Sequence, residues 1–275
     1  MSGRKKFMEV ALRAAREAGR VLQKGLDRHM KIDYKGAVDL VTEWDTLSQK
    51  LISERLISAF PGHGILAEEG LSQALDSEYR WVVDPLDGTT NFAHRLPFFC
   101  VSLALEHRGD ILIGVVLDPV RDELFTASAG EGAFLNGRRI RVSGIKSLTR
   151  SLVATGFPYD VRESRINNIR HFCDFCTRAQ AVRRLGSAAI ELCYVACGRL
   201  DGFWELKLKP WDAAAGSLVV REAGGMVTDF SARPFSPYHP EVLATNGLIH
   251  DDMLRVLKLP EKKPAGPPGS RKGRS

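Results

Sequence analysis

No stretch of this sequence approaches the roughly 20 consecutive apolar residues that span a bilayer; the longest candidates are broken by charges such as Glu106 and Glu191. The first 20 residues carry Arg4, Lys5, Lys6, Glu9, Arg13, Arg16, Glu17 and Arg20, leaving no uninterrupted apolar stretch for a secretory signal. A cytoplasmic protein with no membrane partner is therefore expected. Cysteine is scarce as well, since five in 275 residues are too few for a disulfide scaffold. Cys173, Cys176, Cys193 and Cys197 follow a C-x2-C-x16-C-x3-C spacing that loosely resembles a zinc site, but a closed site needs all four thiolates to converge. Two of them lie in the run Ala188–Cys197, which reads as a buried helix whose small thiols fill gaps. None of the seven histidines pairs at metal-binding spacing, and no internal repeat is apparent. The glycine-rich stretch 130–137 lacks the Lys-Ser/Thr ending of a phosphate-cradling loop and reads as a hairpin.

What is present is a globular composition, 44% apolar and 26% charged, of a length that suits one large domain or two small ones. The net charge of +6 invites a nucleic-acid partner, yet five basic side chains against one acid fall in residues 261–275. That tail holds Pro264, Pro267, Pro268 and three glycines with no large apolar residue, so it cannot bury enough surface to order itself. It reads as a solvated terminus; the sharper alternative is weak, salt-sensitive contact with RNA or another polyanion, or a scaffold role through a protein partner.

Phe7, Val10, Ala11, Ala14, Ala15, Ala18, Val21 and Leu22 recur with helical period, predicting a first helix that ends near Gly25. A second runs from about Thr42 to Phe60, stopped by Pro61-Gly62. Strand-like runs follow at 65–68, 81–84, 100–106, 111–117 and 123–128, which suggests an antiparallel sheet flanked by the two helices. From about Ser151 strands and helices alternate, with helices at 162–175, 187–197, 211–223 and 251–257 and strands at 152–155, 181–185, 201–205, 226–228 and 242–245. The chain thus divides into an α+β half over 1–150 and a layered α/β half over 151–260.

In Trp81-Val82-Val83-Asp84-Pro85-Leu86-Asp87-Gly88-Thr89-Thr90-Asn91 an apolar strand runs into a turn carrying two carboxylates and two hydroxyls. Pro85 fixes its own φ and restricts Asp84, while Gly88 permits conformations other residues resist, so both acids can be aimed at one point. Carboxylates about 4 Å apart repel by roughly 4 kcal/mol at an effective dielectric of about 20, and a divalent cation reverses that cost. Oxygen-only donors favour magnesium or manganese over zinc. Asp-Pro-Leu-Asp-Gly by itself could equally be an ordinary surface turn.

The segment Asp84–Asn91 resembles the signature of the inositol monophosphatase family. The resemblance extends to Ala67-Glu68-Glu69, to Val38-Asp39-Leu40-Val41-Thr42 leading into Asp45, to Trp211-Asp212-Ala213-Ala214-Ala215-Gly216 and to Glu222-Ala223-Gly224-Gly225, and so covers roughly residues 5 to 257. It implies a layered αβαβα sandwich of the sugar-phosphatase type and magnesium-dependent hydrolysis of a small phosphate monoester, inositol monophosphate first, with fructose 1,6-bisphosphate or histidinol phosphate as alternatives on the same site. Glu68, Asp84 and the Leu86 carbonyl are implied to hold one ion, Asp84, Asp87 and Asp212 a second, with a weaker third sharing Glu68. Thr89, oriented through Asp45, is implied to help deprotonate the attacking water. Asp87, Gly88, Thr89 and Asp212 would meet the substrate, with Gly186, Ser187, Ala188 and Glu205 taking its polyol part. A homodimer and a response to lithium come with the same resemblance. Taken singly, Asp212 also reads as a helix-capping acid, Glu68 as a solvated strand end and Asp45 as a first-turn acid. Phe157-Pro158-Tyr159 lies near the implied pocket without an assigned contact, and His94 reads as incidental.

Overall fold

The computed structural model describes residues 2–26, 28, 31–34, 36 and 40–258. The tail 261–275 and the Val38-Asp39 part of the family resemblance lie outside the described residues.

The chain opens with helix α1 (Ser2–Leu26), a short hairpin β1 (Ile32–Tyr34) and β2 (Leu40–Thr42), and helix α2 (Glu43–Ala59). Strands β3 (Gly64–Ala67), β4 (Ser72–Gln73) and β5 (Tyr79–Asp87) lead into the single-turn helix α3 (Thr89–Ala93). Strands β6 (Cys100–His107), β7 (Asp110–Asp118), β8 (Glu123–Ser128), β9 (Gly132–Leu135) and β10 (Arg138–Arg139) complete an eight-stranded sheet in the order β10-β9-β8-β7-β6-β5-β3-β4. Then come β11 (Leu152–Thr155), α4 (Ile169–Cys176), β12 (Ala181–Arg183), α5 (Ala188–Ala196), β13 (Gly202–Leu206), α6 (Pro210–Glu222), β14 (Met226–Thr228), β15 (Glu241–Thr245) and α7 (His250–Leu257). Their five strands form a second sheet in the order β12-β11-β13-β15-β14.

The layers stack as α1 and α2, the large sheet, α5 and α6, the small sheet, then α4 and α7. The two-residue period of a strand explains why three separate cores form. On β5, Trp81 and Val83 pack against α1 and α2, whereas Val82 between them packs into the middle layer with Ala214, Leu218 and Leu192. Small residues set the spacing there: a Cβ on Gly114 of β7 would lie 2.8 Å from the Ala215 carbonyl oxygen, and one on Gly216 would lie 2.7 Å from Leu192 Cβ. The run Ala213-Ala214-Ala215-Gly216 therefore lets α6 press on the sheet and on α5 at once. The outer core is closed by Phe175 of α4, whose ring centroid sits 3.9 Å from that of Trp204.

The layered sandwich agrees with the sequence expectation, as does the hairpin at 132–139, but several details differ. Both sheets are mixed, because β3 pairs parallel with β5 and β11 pairs parallel with β12 and β13. The helix expected from Arg162 begins only at Ile169, after turns at 158–164 held by the Asp160 carbonyl and an Asn168 at φ 70. Between Arg162 and Asn168 only Ile166 is apolar, too little to hold a helix face, and those turns satisfy the backbone locally. The zinc spacing does not close: Cys173 and Cys176 are exposed on α4, while Cys193 is buried on α5, across the small sheet.

Candidate active site

A regular strand would point residues 84 and 87, three apart, to opposite faces. On β5 the pairing runs Asp84 with Ser102 but Asp87 with Cys100, so β5 holds one residue more than β6 over this interval. That bulge, placed at the proline that has no N–H to give the ladder, turns both acids to the same side. The strand thus continues through Asp87, three residues beyond the expected turn. Gly88 follows at φ 95, where a Cβ would also meet the Phe98 carbonyl at 3.0 Å. Ser48 of α2 fixes the bulge by donating to the Pro85 carbonyl at 2.8 Å.

Each aspartate is tied by one oxygen. Asp84 Oδ1 accepts the Leu86 N–H at 3.0 Å, and Asp87 Oδ2 accepts Ser187 Oγ at 2.7 Å and the Ala189 N–H at 2.8 Å, so that Asp87 caps α5 from another element. Asp212 sits in the first turn of α6 and accepts the Lys209 N–H at 2.7 Å. The capping reading of Asp212 and its place in the site are both true, one oxygen for each. Among the described residues the second oxygens of Asp84 and Asp212 accept no hydrogen bond.

Glu68, Asp84, Leu86, Asp87, Gly88, Thr89, Gly186, Ser187, Ala188, Glu205 and Asp212 all line one cavity of about 450 Å³. Of the site residues expected from sequence only Asp45 is off its wall; it lies buried behind Thr89. Thr89 Oγ1 stands 3.0 Å from Asp45 Oδ1 and 3.0 Å from the Leu86 carbonyl oxygen, its one proton shared between them. Asp45 Oδ2 accepts from Thr42 N at 2.8 Å and from Thr42 Oγ1 at 2.5 Å in a capping box at the start of α2. His94 and the Glu69 side chain are not on the cavity wall, whereas Phe157, Pro158 and Tyr159 are.

Burial, then the charges of Glu68, Asp87 and Asp212, push the Asp84 carboxyl well above the usual range. Burial, then Asp87 and Glu68, does the same to Asp212. Asp87 is raised by burial against the opposing pull of Ser187 and Ala189. Asp87 and Asp212 are half-buried and border the cavity. Asp45 is raised to about 6, chiefly by burial, with the Thr42 hydrogen bonds opposing. Acids crowded in this way ionise together only beside positive charge. Hard oxygens alone, among them a carbonyl with a lone pair to spare, fit a hard divalent ion. Among the described residues no three His, Cys, Asp or Glu side chains close into a cage.

Several residues of the cavity carried no expectation, among them Gly156, Glu191 and Arg184. Gly156 matters by close approach, for a Cβ there would lie 2.1 Å from Glu205 Oε1. Glu191 is buried in α5, where burial raises it to about 8, and neighbouring Glu191 adds to the burial that holds Glu205 well above its usual range. Arg184 pulls both glutamates back down. A lone acid in an apolar helix and a glycine closing a strand were the available signals for Glu191 and Gly156.

Buried acids brought together by a strand bulge and a helix start, inside a five-layered sandwich, form a hard-oxygen site, and the family that the sequence matches makes the protein a phosphoric monoester hydrolase. Comparison narrows the class. The model of the inositol monophosphatase family matches residues 4–259. The inositol-1-monophosphatase of Mesorhizobium japonicum is 42% identical over 260 residues, covering 94% of this chain and 98% of that one. The Nus factor SuhB of Pseudomonas aeruginosa is 46% identical over 234 residues, covering 82% and 86%. The solved inositol monophosphatase from Anabaena (Nostoc) sp. PCC 7120 has a TM-score of 0.85 at 45% identity, covering 92% and 95%. The chain belongs to the inositol monophosphatase family, whose members are metal-dependent. Among the described residues no helix is long and apolar enough to cross a membrane.

Proposed function

We propose that the protein hydrolyses a phosphorylated polyol, inositol monophosphate, to the free polyol and phosphate with magnesium as its cofactor and manganese as a substitute. The observation that carries this reading is a single cavity bordered by Glu68, Asp84, Asp87 and Asp212 and also by the Gly186–Ala188 turn and Glu205. In this reading Glu68, Asp84 and the Leu86 carbonyl hold one ion, Asp84, Asp87 and Asp212 a second, and Glu68 shares a third. Bound magnesium supplies the charge that lets the acids ionise together, neutralises phosphate oxygens and stabilises the departing alkoxide. Water, oriented with the help of Glu68, attacks phosphorus in line with the leaving oxygen. Its proton passes to Thr89 Oγ1, whose own proton moves to Asp45 Oδ1, 3.0 Å away, while a proton from solvent water completes the departing alkoxide as the free polyol. Asp87, Gly88 and Thr89 border the phosphate. Glu205 and the backbone N–H groups of Gly186, Ser187 and Ala188 take the polyol hydroxyls.

Labour divides between residues 1–150, with Glu68 and Asp84–Thr90, and residues 151–260, with Asp212 and the polyol wall. A cytoplasmic homodimer inhibited by lithium belongs to the same proposal and rests on the family resemblance. Arg184, Lys207 and Lys209 on the cavity wall favour a sugar bisphosphate such as fructose 1,6-bisphosphate as the second reading. Phosphate release from inositol 1-phosphate, fructose 1,6-bisphosphate and histidinol phosphate, with magnesium and with chelator, separates the two. Inositol 1-phosphate is expected to give the highest kcat/KM and chelator to abolish release; a higher value for the bisphosphate transfers the assignment.

A further inference from the structure

The turn between β12 and α5, which presents Gly186, Ser187 and Ala188 to the cavity, is gripped from three sides. Asn91 Nδ2 donates to the carbonyls of Leu185 and Phe98, each at 2.8 Å. Ser187 Oγ and the Ala189 N–H donate to Asp87. The third grip is Glu191, which none of the family motifs includes. Reaching back from the first turns of α5, its Oε1 accepts the Leu185 N–H at 3.1 Å, and the Gly186 N–H leans on the same carboxyl.

Glu191 is only 1% exposed, yet it borders the cavity with Glu205 and Arg184. The hydrolytic steps give it no task. A buried carboxyl costs stability unless it satisfies donors that nothing else reaches, and the two N–H groups ahead of α5 are such donors. Gly186 stands at φ 90, a conformation open to glycine, and a Cβ there would lie 2.8 Å from Arg184 Nη1 and 3.0 Å from Asn91 Nδ2.

We propose that Glu191 is a positioning residue for the polyol: by holding the Leu185 and Gly186 N–H groups it keeps the 186–188 backbone in register with the hydroxyls that Glu205 faces. The inference rests on the polyol reading above and adds to it the element that sets KM rather than turnover. The rise of Glu191 to about 8, caused first by burial, keeps its carboxyl protonated at neutral pH and so close in shape and charge to glutamine.

The test compares Glu191→Leu with Glu191→Gln on inositol 1-phosphate and on 4-nitrophenyl phosphate, an ester without hydroxyls. Leucine leaves the two N–H groups without an acceptor and is expected to raise KM for inositol 1-phosphate about tenfold, with KM for 4-nitrophenyl phosphate and both kcat values within about threefold of the parent. Glutamine keeps the acceptor and is expected to stay within about twofold on both esters. A loss of kcat shared by both esters overturns the inference, as does a glutamine variant as impaired as the leucine one. Should Glu191→Leu fail to fold, Glu191→Ala must show the same KM split, and an unchanged KM there overturns it equally. A parent enzyme that hydrolyses 4-nitrophenyl phosphate but not inositol 1-phosphate removes the polyol reading itself, a result distinct from any variant pattern.

Discussion

Two groups of buried acids line the same cavity, and they are balanced differently. Asp84, Asp87, Asp212 and Glu68 face one another, and each raises the proton affinity of a neighbour. Beyond burial, Glu191 raises Glu205, and Asp87 raises both, but Arg184 stands beside both and pulls them back down. The second group has a counter-charge within the chain; in the proposed reading the first takes its own from bound cations. In that reading one cavity holds a reactive end tuned by ions and a recognition wall tuned by hydrogen bonds.

The sharpest way to break this contrast is Asp87→Asn. Removing one charge at constant size is expected to lower kcat by about 10³-fold or more while circular dichroism stays unchanged. Retention of rate within about tenfold would dissolve the distinction between the groups.

Asp45 gives the next largest effect. With its carboxyl raised to about 6, kcat should climb as pH rises through 6, because Thr89 then has an ionised acceptor. Asp45→Asn should remove that acidic limb and leave a rate lower by about 10- to 100-fold, read from a pH profile. The sign for stability is opposite. Burying the charged form costs about 3 kcal/mol, fully present above pH 6 and lifted as pH falls below the ordinary 3.8.

At the recognition wall, Glu205→Ala and Gly156→Ala are expected to raise KM for inositol 1-phosphate by about tenfold with little change in kcat, the second because its Cβ would displace the Glu205 carboxyl. A fall in kcat with KM unchanged would move Glu205 into the reactive group. The smallest effect is on melting. Magnesium at about a hundredfold over its Kd stabilises by about 2.7 kcal/mol, a rise in Tm of roughly 5 °C. Asp84→Asn should shrink that rise and Glu205→Gln should preserve it.

Much of the site was legible because its chemistry is local. Asp84-Pro85-Leu86-Asp87-Gly88 alone reads equally as a surface turn and Asp212 alone as a capping acid; the longer run through Thr89-Thr90-Asn91 and the small residues after Trp211-Asp212 are what single them out. The bulge was not legible: an isolated proline after an apolar strand reads as a turn, and only pairing with β6 shows that β5 runs on to Asp87. The same holds for the start of α4, where Asn168 ties the chain down through Thr155, Gly156 and Trp204.

By itself the sequence determined which residues carry charge, which faces are apolar and where the backbone bends, for these depend on side-chain type and short-range sterics. Tertiary structure alone decided that Asp87 caps a helix a hundred residues away, that Gly156 makes room for Glu205 and that Glu191 braces the turn opposite. Those relations are contacts between layers, and a contact's partner is set by packing, which no local pattern encodes.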